Sequence, residues 1–364
     1  MQILYIITGL TVGGAERITI DLAERMVKLG NKVTFIYLSG KQEFPVSSEI
    51  NLINLEMKKS PLGFIKALKK CASIVKEFEP DVVHSNMFHA NFFARILRIF
   101  VTIPKLICTE HTKNMQSKLR MKLLGITDFL CDITTNVSQE ATDYLIEKKV
   151  FNKKKSMAVY NGIDLSKFVC KKDYEKRNNF GIKKSDFLFV NVSRLMPAKD
   201  HENLIHAFKI VHDSYQNTKL ICVGDGPERE KIQNLINNLQ LNDSIFLLGS
   251  QTDVVQFYDM SDCFVLSSAW EGFGIVLAEA MACELPVIST DCGGTREVVQ
   301  NMNFLVDVHN SAALAEKMTF ILNLSEDDRQ KIGAENRKLT EKFDLNFITN
   351  KWLDLYQNSY EGLK

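Results

Sequence analysis

The chain has 364 residues, 45% hydrophobic and 24% charged, with a formal net charge of +1. That is too long for one ordinary core, so two domains are expected, and no run of 18 apolar residues is present to span a bilayer. The eight cysteines (71, 108, 131, 170, 222, 263, 283 and 292) form no Cys-x-x-Cys pair, which speaks against a zinc or disulfide framework and for reduced core thiols in a cytosolic protein.

Charge is unevenly spread. Residues 1–165 hold 23 Lys+Arg against 16 Asp+Glu, and the remainder holds 22 against 28. Either the first half faces something anionic or these are solvated faces. The first predicted element, Ile3–Thr8, is a buried strand by length and apolarity. Gly9, Gly13 and Gly14 follow, then a helix with Ile18, Leu22, Met26 and Leu29 on one face, then a strand over Val33–Leu38. This is a βαβ unit. It lacks Gly-x-Gly-x-x-Gly, and there is no Gly-Lys-Ser/Thr, so neither a dinucleotide oxidoreductase nor a P-loop enzyme is indicated.

Further strands are predicted at Ile50–Leu55, Asp81–Ser85, Leu106–Glu110, Cys131–Val137 and Ser156–Tyr160. Ligands in such sheets sit at the carboxyl ends of strands. His84, Asn86, Glu110 and His111 lie there, and the first three are candidate acceptor-side residues. A lone His more often caps a loop or satisfies a core group, but the strand-end position favours a site for His111. The basic excess concentrates in Lys58–Lys76, Phe92–Phe100 and Lys113–Lys122, where cations mix with apolar residues. Such segments either rest on an anionic lipid surface or form ordinary outer helices. No groove-reading motif or stacking platform indicates nucleic acid.

Asn161-Gly162-Ile163-Asp164 is a turn signal before the irregular stretch Lys167–Lys184, where an interdomain linker is placed. The α/β rhythm then repeats. A strand over Phe187–Val192 leads into a loop with Arg194 and Lys199, two cations able to clamp a diphosphate. Lys219–Val223 ends in Gly224-Asp225-Gly226-Pro227, and Ile245–Leu248 precedes Gln251 and Thr252. A buried strand over 262–267 runs into a loop with Glu271, Gly272, Phe273 and Gly274, then a helical pattern over Val276–Cys283 that holds Glu279. A helix N-terminus after glycines is an anion site. A carboxylate just before it makes sense if it accepts hydrogen bonds from hydroxyls beside the anion. Glu279 stands roughly 7.5 Å along the helix. A nucleotide-sugar supplies both features: sugar hydroxyls for Glu271, diphosphate for the helix end and ribose hydroxyls for Glu279.

Glu271-Gly-Phe-Gly-Ile-Val-Leu-Ala-Glu279-Ala, with Leu285-Pro-Val-Ile-Ser-Thr and Gly293-Gly294 after it, resembles the signature of retaining GT-B glycosyltransferases of family four, of the bacterial polysaccharide and O-antigen type. The resemblance implies an α/β GT-B fold, two Rossmann-like parallel-sheet domains facing across a cleft with the C-terminal helix crossing back. It places an acceptor-binding domain over 1–165 (plus about 345–364) and a donor-binding domain over 166–344. It implies contacts from Glu271 to the donor sugar and from Glu279 to the ribose, and a phosphate site at Arg194 and Lys199. His111 falls near the anomeric carbon and, with Glu271, Arg194 and Lys199, makes up the implied catalytic set. Gly13 and Gly14 approach the diphosphate, and main-chain groups near Gln251 and Thr252 hold the base. Gly224, Phe273, Gly274, Ile275 and Val276 complete the donor site.

The implied reaction is retaining transfer of a hexose or N-acetylhexosamine from a nucleotide-diphosphate donor, a UDP-sugar, to a lipid-linked saccharide such as one on undecaprenyl diphosphate. The expected place is the cytoplasm, peripheral at the inner face of the cell membrane. No cofactor and no metal are expected, because no Asp-x-Asp occurs in the chain. A GT-B-like epimerase would need acid–base carboxylates in the cleft. A non-catalytic sugar- or lipid-binding relative would have lost Glu271 or Arg194, and both are present.

Overall fold

The computed structural model describes residues 1–11, 13–115, 117–169 and 171–358. Cys170 and the end of the expected returning segment, past residue 358, lie outside the described residues. The other seven cysteines are buried and free. Contacts divide the chain into two units, Met1–Gly162 with the segment from Leu345, and Ile163–Asp344.

The first unit is a seven-stranded parallel sheet of β1 (Gln2–Ile7), β2 (Lys32–Tyr37), β3 (Asn51–Asn54), β4 (Val82–Asn86), β5 (Leu106–Glu110), β6 (Ile133–Asn136) and β7 (Ser156–Ala158), in the order β3-β2-β1-β4-β5-β6-β7. Its helices are α1 (Gly14–Lys28), α2 (Pro61–Phe78), α3 (Phe88–Leu97), α4 (Lys118–Thr127) and α5 (Gln139–Glu147). Side chains alternate across a strand, and β1 and β2 are buried on both faces, so these two read as near-continuous apolar runs, whereas β4 and β6 end in polar residues. Ile3, Tyr5 and Ile7 pack with Ile20, Ala23 and Met26 of α1, while Leu4 and Ile6 pack with Leu68 and Cys71 of α2 and Phe93 of α3. The predicted strand Cys131–Val137 shortens to Ile133–Asn136 because Asp128–Leu130 forms a 3-10 turn, closed by the Cys131 N–H on the Asp128 carbonyl at 3.1 Å.

The second unit is a six-stranded parallel sheet of β8 (Phe187–Val192), β9 (Thr218–Val223), β10 (Ile245–Leu247), β11 (Cys263–Leu266), β12 (Val287–Thr290) and β13 (Leu305–Val306), in the order β10-β9-β8-β11-β12-β13. Around it run α6 (His201–Ser214), α7 (Arg229–Asn238), α8 (Val255–Asp259), α9 (Ile275–Ala282), α10 (Thr295–Val299), α11 (Ser311–Asn323) and α12 (Glu326–Leu339). Both sheets are Rossmann-like, and each reverses its strand order once, between β1 and β4 and between β8 and β11. Crevices open at the carboxyl ends of strands at such switch points.

α13 (Leu345–Gln357) belongs to the first unit. Ile348, Trp352, Leu355 and Tyr356 join the core that α1 covers. A buried polar chain fastens this helix. The Tyr5 and Tyr356 hydroxyls lie 3.0 Å apart, Tyr356 Oη is 2.7 Å from His84 Nδ1, His84 Nε2 is 2.7 Å from Thr109 Oγ1, and Thr109 Oγ1 is 2.6 Å from Thr135 Oγ1. Lys105 Nζ donates to the carbonyls of Leu355 and Tyr356 at the C-terminus of α13, where a cation is favoured. Among the described residues no helix is long and apolar enough to cross a membrane.

Burial lowers the His84 imidazole to about 3 and that of His201 to about 4. A base with a depressed folded pKa contributes stability above its unfolded pKa, about 6.5, which is lost as pH falls toward the folded value. Glu110 runs the other way. Burial raises its carboxyl to about 7, so its contribution is present below the unfolded value, about 4.5, and is lost as pH rises through 7. With His111, whose ring burial likewise lowers to about 4, three imidazoles outweigh the one carboxyl. Thermal unfolding is therefore expected to move to lower temperature between pH 6.5 and 4.5, by a few kcal/mol of stability. A His84→Gln variant, unable to titrate, should lose less over that interval than the wild type, whatever its starting stability. Equal slopes would remove His84 from the account.

Candidate active site

The second unit's switch point holds the candidate donor site. The loop after β8 carries Arg194 and a 3-10 turn, Pro197–Lys199, and the loop after β11 runs Ser267–Gly274. The two are joined through their backbones. The Ala269 N–H donates to the Ala198 carbonyl at 2.9 Å, and Ser267 Oγ donates to the Lys199 carbonyl at 2.9 Å. This brings together residues 72 apart in sequence: Lys199 Nζ pairs with Glu271 Oε1, which also accepts from Ser268 Oγ at 3.0 Å. Both side chains are mostly buried, at 20% and 11% exposure, so the pair is less screened than a surface pair.

Glycines set the spacing of these loops. Gly293 lies at φ +57, and a Cβ there would overlap the carbonyl oxygen of Glu271. Gly224, at φ +137, lies against the Ser193 carbonyl in the same way, and Gly226 against that of Leu195. The loop after β9 therefore clasps the segment carrying Arg194, helped by the Leu195 N–H on the Asp225 carbonyl at 3.0 Å. Arg194 is exposed and has no acidic partner among the described residues.

Gly274 is the N-cap of α9, in the left-handed region at φ +81, and offers no side-chain acceptor to the helix start. The first N–H groups of α9, at Ile275 and Val276, thus start a helix beside Glu271, an arrangement that favours an anion. One turn in, Glu279 Oε2 accepts from the Tyr258 hydroxyl at 3.0 Å. Gln251 and Thr252 are exposed after β10, with Gln251 Nε2 donating to the Leu248 carbonyl at 3.0 Å. Phe273 corrects the expectation for its side chain. The ring is 2% exposed and packs edge-on against Phe343 with centroids 5.1 Å apart, so only its backbone is left for a ligand.

In the first unit His111 follows β5, and its Nε2 lies 3.0 Å from Asn86 Oδ1. Burial lowers the His111 imidazole to about 4, which keeps the ring neutral. Asn86 Nδ2 is buried with no partner among the described residues. A small cavity beside this pair is lined by Thr19, Asn161, Ile348 and Trp352. Gly13 is the extended N-cap of α1, where a Cβ would overlap the Glu16 carboxylate, and Gly14 opens the helix with no neighbour in the way. His84 corrects the expectation of an acceptor contact. It is 1% exposed and both ring nitrogens are taken by Tyr356 and Thr109. Glu110 is likewise 3% exposed, with Oε1 accepting from Asn91 at 2.8 Å, and holds the sheet to α3 instead of facing a ligand.

Ser268 and Tyr258, which hold the two glutamates, were missed in the sequence. Ser268 could have been found inside the motif, three residues before Glu271. Tyr258 sits on a five-residue helix and carries no such signal.

A family model described as Glycosyl transferases group 1 matches residues 172–339, and one described as Glycosyltransferase Family 4 matches residues 12–167. An uncharacterized glycosyltransferase of Methanocaldococcus jannaschii is 33% identical over 258 residues, which are 66% of this chain and 63% of that protein's length. The UDP-Gal:alpha-D-GlcNAc-diphosphoundecaprenol alpha-1,3-galactosyltransferase of Escherichia coli is 26% identical over 81% of this chain and 80% of its own. Among solved structures, Anabaena HepE in complex with UDP has a TM-score of 0.82 at 21% identity, covering 98% of this chain and 99% of that one. That likeness is one of fold, and the fold is GT-B. With both halves matched, the chain belongs to the family 4, group 1 glycosyltransferases.

Proposed function

We propose that this glycosyltransferase moves a hexose or N-acetylhexosamine from a UDP-sugar, with retained anomeric configuration and without a metal ion, to a hydroxyl of a lipid-linked saccharide at the inner face of the membrane. Relatives from Erwinia amylovora and Staphylococcus aureus are named for amylovoran and capsular polysaccharide biosynthesis, which supports that setting. The observation that carries the reading is the cluster at the second switch point: Arg194, the Lys199–Glu271 pair and the uncapped start of α9. The E. coli relative uses a UDP-sugar and a diphosphoundecaprenol-linked acceptor, and Anabaena HepE binds UDP, which supports the choice of donor and acceptor.

In this reading the acceptor oxygen bonds to the anomeric carbon on the face from which the diphosphate departs. The bond from that carbon to the phosphate oxygen breaks, and its electron pair stays on the phosphate. The hydroxyl proton passes to that same oxygen. Arg194, Lys199 and the first N–H groups of α9 offset the charge that develops there, which is the role metal ions play elsewhere. Glu271, held by Lys199 and Ser268, accepts hydrogen bonds from sugar hydroxyls. The absence of Asp-x-Asp in the chain supports the metal-free form.

A thermal-shift screen against UDP, GDP, ADP, CMP and their sugars tests the donor. Binding to the folded state at a hundredfold excess over Kd adds about 2.7 kcal/mol. The UDP series should raise Tm in the wild type and not in Arg194→Ala. Protection by a GDP- or ADP-sugar and by no UDP-sugar would sink the donor assignment. The anomeric configuration of the product, read by NMR, decides retention.

A further inference from the structure

The loop that carries Glu271 leaves its largest side chain unused by the fold. Ser267 and Ser268 are buried, and the Phe273 ring packs on Phe343. Trp270, between them, is 43% exposed. Its indole has no ring, cation or hydrogen-bond partner among the described residues. Single exposed apolar side chains are ordinary. The position of this one, directly before Glu271 on a pinned loop, sets it apart.

The backbone is held on both sides of Trp270. The N–H groups of Ala269 and Trp270 both reach the Ala198 carbonyl, at 2.9 and 3.4 Å. The Ser268 carbonyl accepts from Thr290 Oγ1 at 2.6 Å, and Gly293 abuts the Glu271 carbonyl. The indole is thus presented from a fixed frame, with only its side-chain torsions left to fix on binding, which makes Trp a contact of low entropic cost. Glu271 is turned inward, onto Lys199 and Ser268. The inner side of the loop therefore carries the charge that suits a phosphate, and its solvent side carries an aromatic plane. A pyranose matches such a plane. Its C–H bonds pack over the ring face, and a rim hydroxyl can accept from the indole N–H.

We infer that Trp270 is a stacking platform for a pyranose ring of the acceptor saccharide, which gives the second unit a share in choosing the acceptor. The charged end of the donor is drawn to the inner side of the loop, at Lys199 and the start of α9. The indole lies on the side that meets solvent, from which the acceptor arrives. The inference rests on the reading of this loop as part of the transfer site, and adds to it a residue that discriminates between acceptors.

Acrylamide quenching of tryptophan emission in the full chain tests this. The chain has two Trp, and Trp352 lies in the core, so the quenchable signal is that of Trp270. The probes are UDP, UDP-galactose, and N-acetylglucosaminyl diphosphate on a short alkyl chain. Protection from acrylamide is expected with the last alone. In transfer assays with the same compounds, Trp270→Leu should raise the acceptor KM roughly tenfold and move the donor KM far less. Trp270→Tyr, which keeps an aromatic face, should recover most of that loss, a rescue that a space-filling role would not require. Circular dichroism checks that both variants stay folded. Protection by UDP would make the indole a nucleobase contact, and protection by UDP-galactose but not by UDP would make it a donor-sugar contact. Either outcome overturns the inference, as does protection by none of the probes or an acceptor KM equal in the wild type and Trp270→Leu. Quenching needs no turnover. A chain that fails the nucleotide screen can still show the Trp270 response, and one that passes it can lack the response, so the two readings fail separately.

Discussion

Lys199→Ala is expected to lower kcat on the order of 10²- to 10³-fold while the protein stays folded. Two effects combine. In the proposed reaction the leaving diphosphate loses a cation, and the Glu271 carboxylate, 11% exposed, keeps only Ser268 as its side-chain donor among the described residues. An unpaired carboxylate beside a phosphate site repels the donor, so KM for the nucleotide-sugar should rise too. Glu271→Gln removes the opposite partner, and the double variant should lose far less than the product of the single losses, because the two side chains act on one another. A steady-state double-mutant cycle makes the comparison. Strictly multiplicative losses would mean that the pair does not work as a unit in the active protein.

Gly293→Ala should be among the most damaging conservative changes in the second unit, alongside Gly224→Ala. Its φ of +57 disfavours any side chain, and the added methyl meets the Glu271 carbonyl, a backbone atom that moves only if the whole loop moves. Strain and overlap together are expected to cost about 2–3 kcal/mol, or roughly 5–10 °C in Tm. Activity should fall further than stability, since the displaced loop carries Glu271 and leads into α9. Gly14→Ala is the control for stability alone. No atom lies within 4 Å of its Cβ position, and the same chemical change at the start of α1 should be neutral or stabilising by at most about 1 kcal/mol. Wild-type Tm and kcat in Gly293→Ala would refute this account of the loop.

The central strands were legible because both of their faces are covered, so Phe187–Val192 stands in the sequence as a near-continuous apolar run and Leu106–Glu110 as a short one closed by Thr109 and Glu110. The two-residue β13 left no such run. α9 was legible from Gly274 and the small residues after it. The Lys199–Glu271 pair was not, since its partners come from loops after two strands that become neighbours only when the order reverses at β8 and β11. His84 shows the limit most plainly. It stands at a strand end, where ligands bind, yet its ring is claimed by Tyr356, 272 residues away, and no local pattern carries that information.

The return of α13 has a consequence for the order in which the chain matures. As synthesis proceeds, the first sheet is complete by Ala158, but the apolar side that α1 only partly covers waits for Trp352 and Tyr356. The second unit, contiguous from Ile163 to Asp344, can close on itself while the first still shows an open seam. Contacts spanning 250 residues and more are slow to form, and domains of a nascent chain fold as units. The first unit therefore finishes last. Until α13 docks, it is the part of the nascent chain most exposed to chaperones and to aggregation.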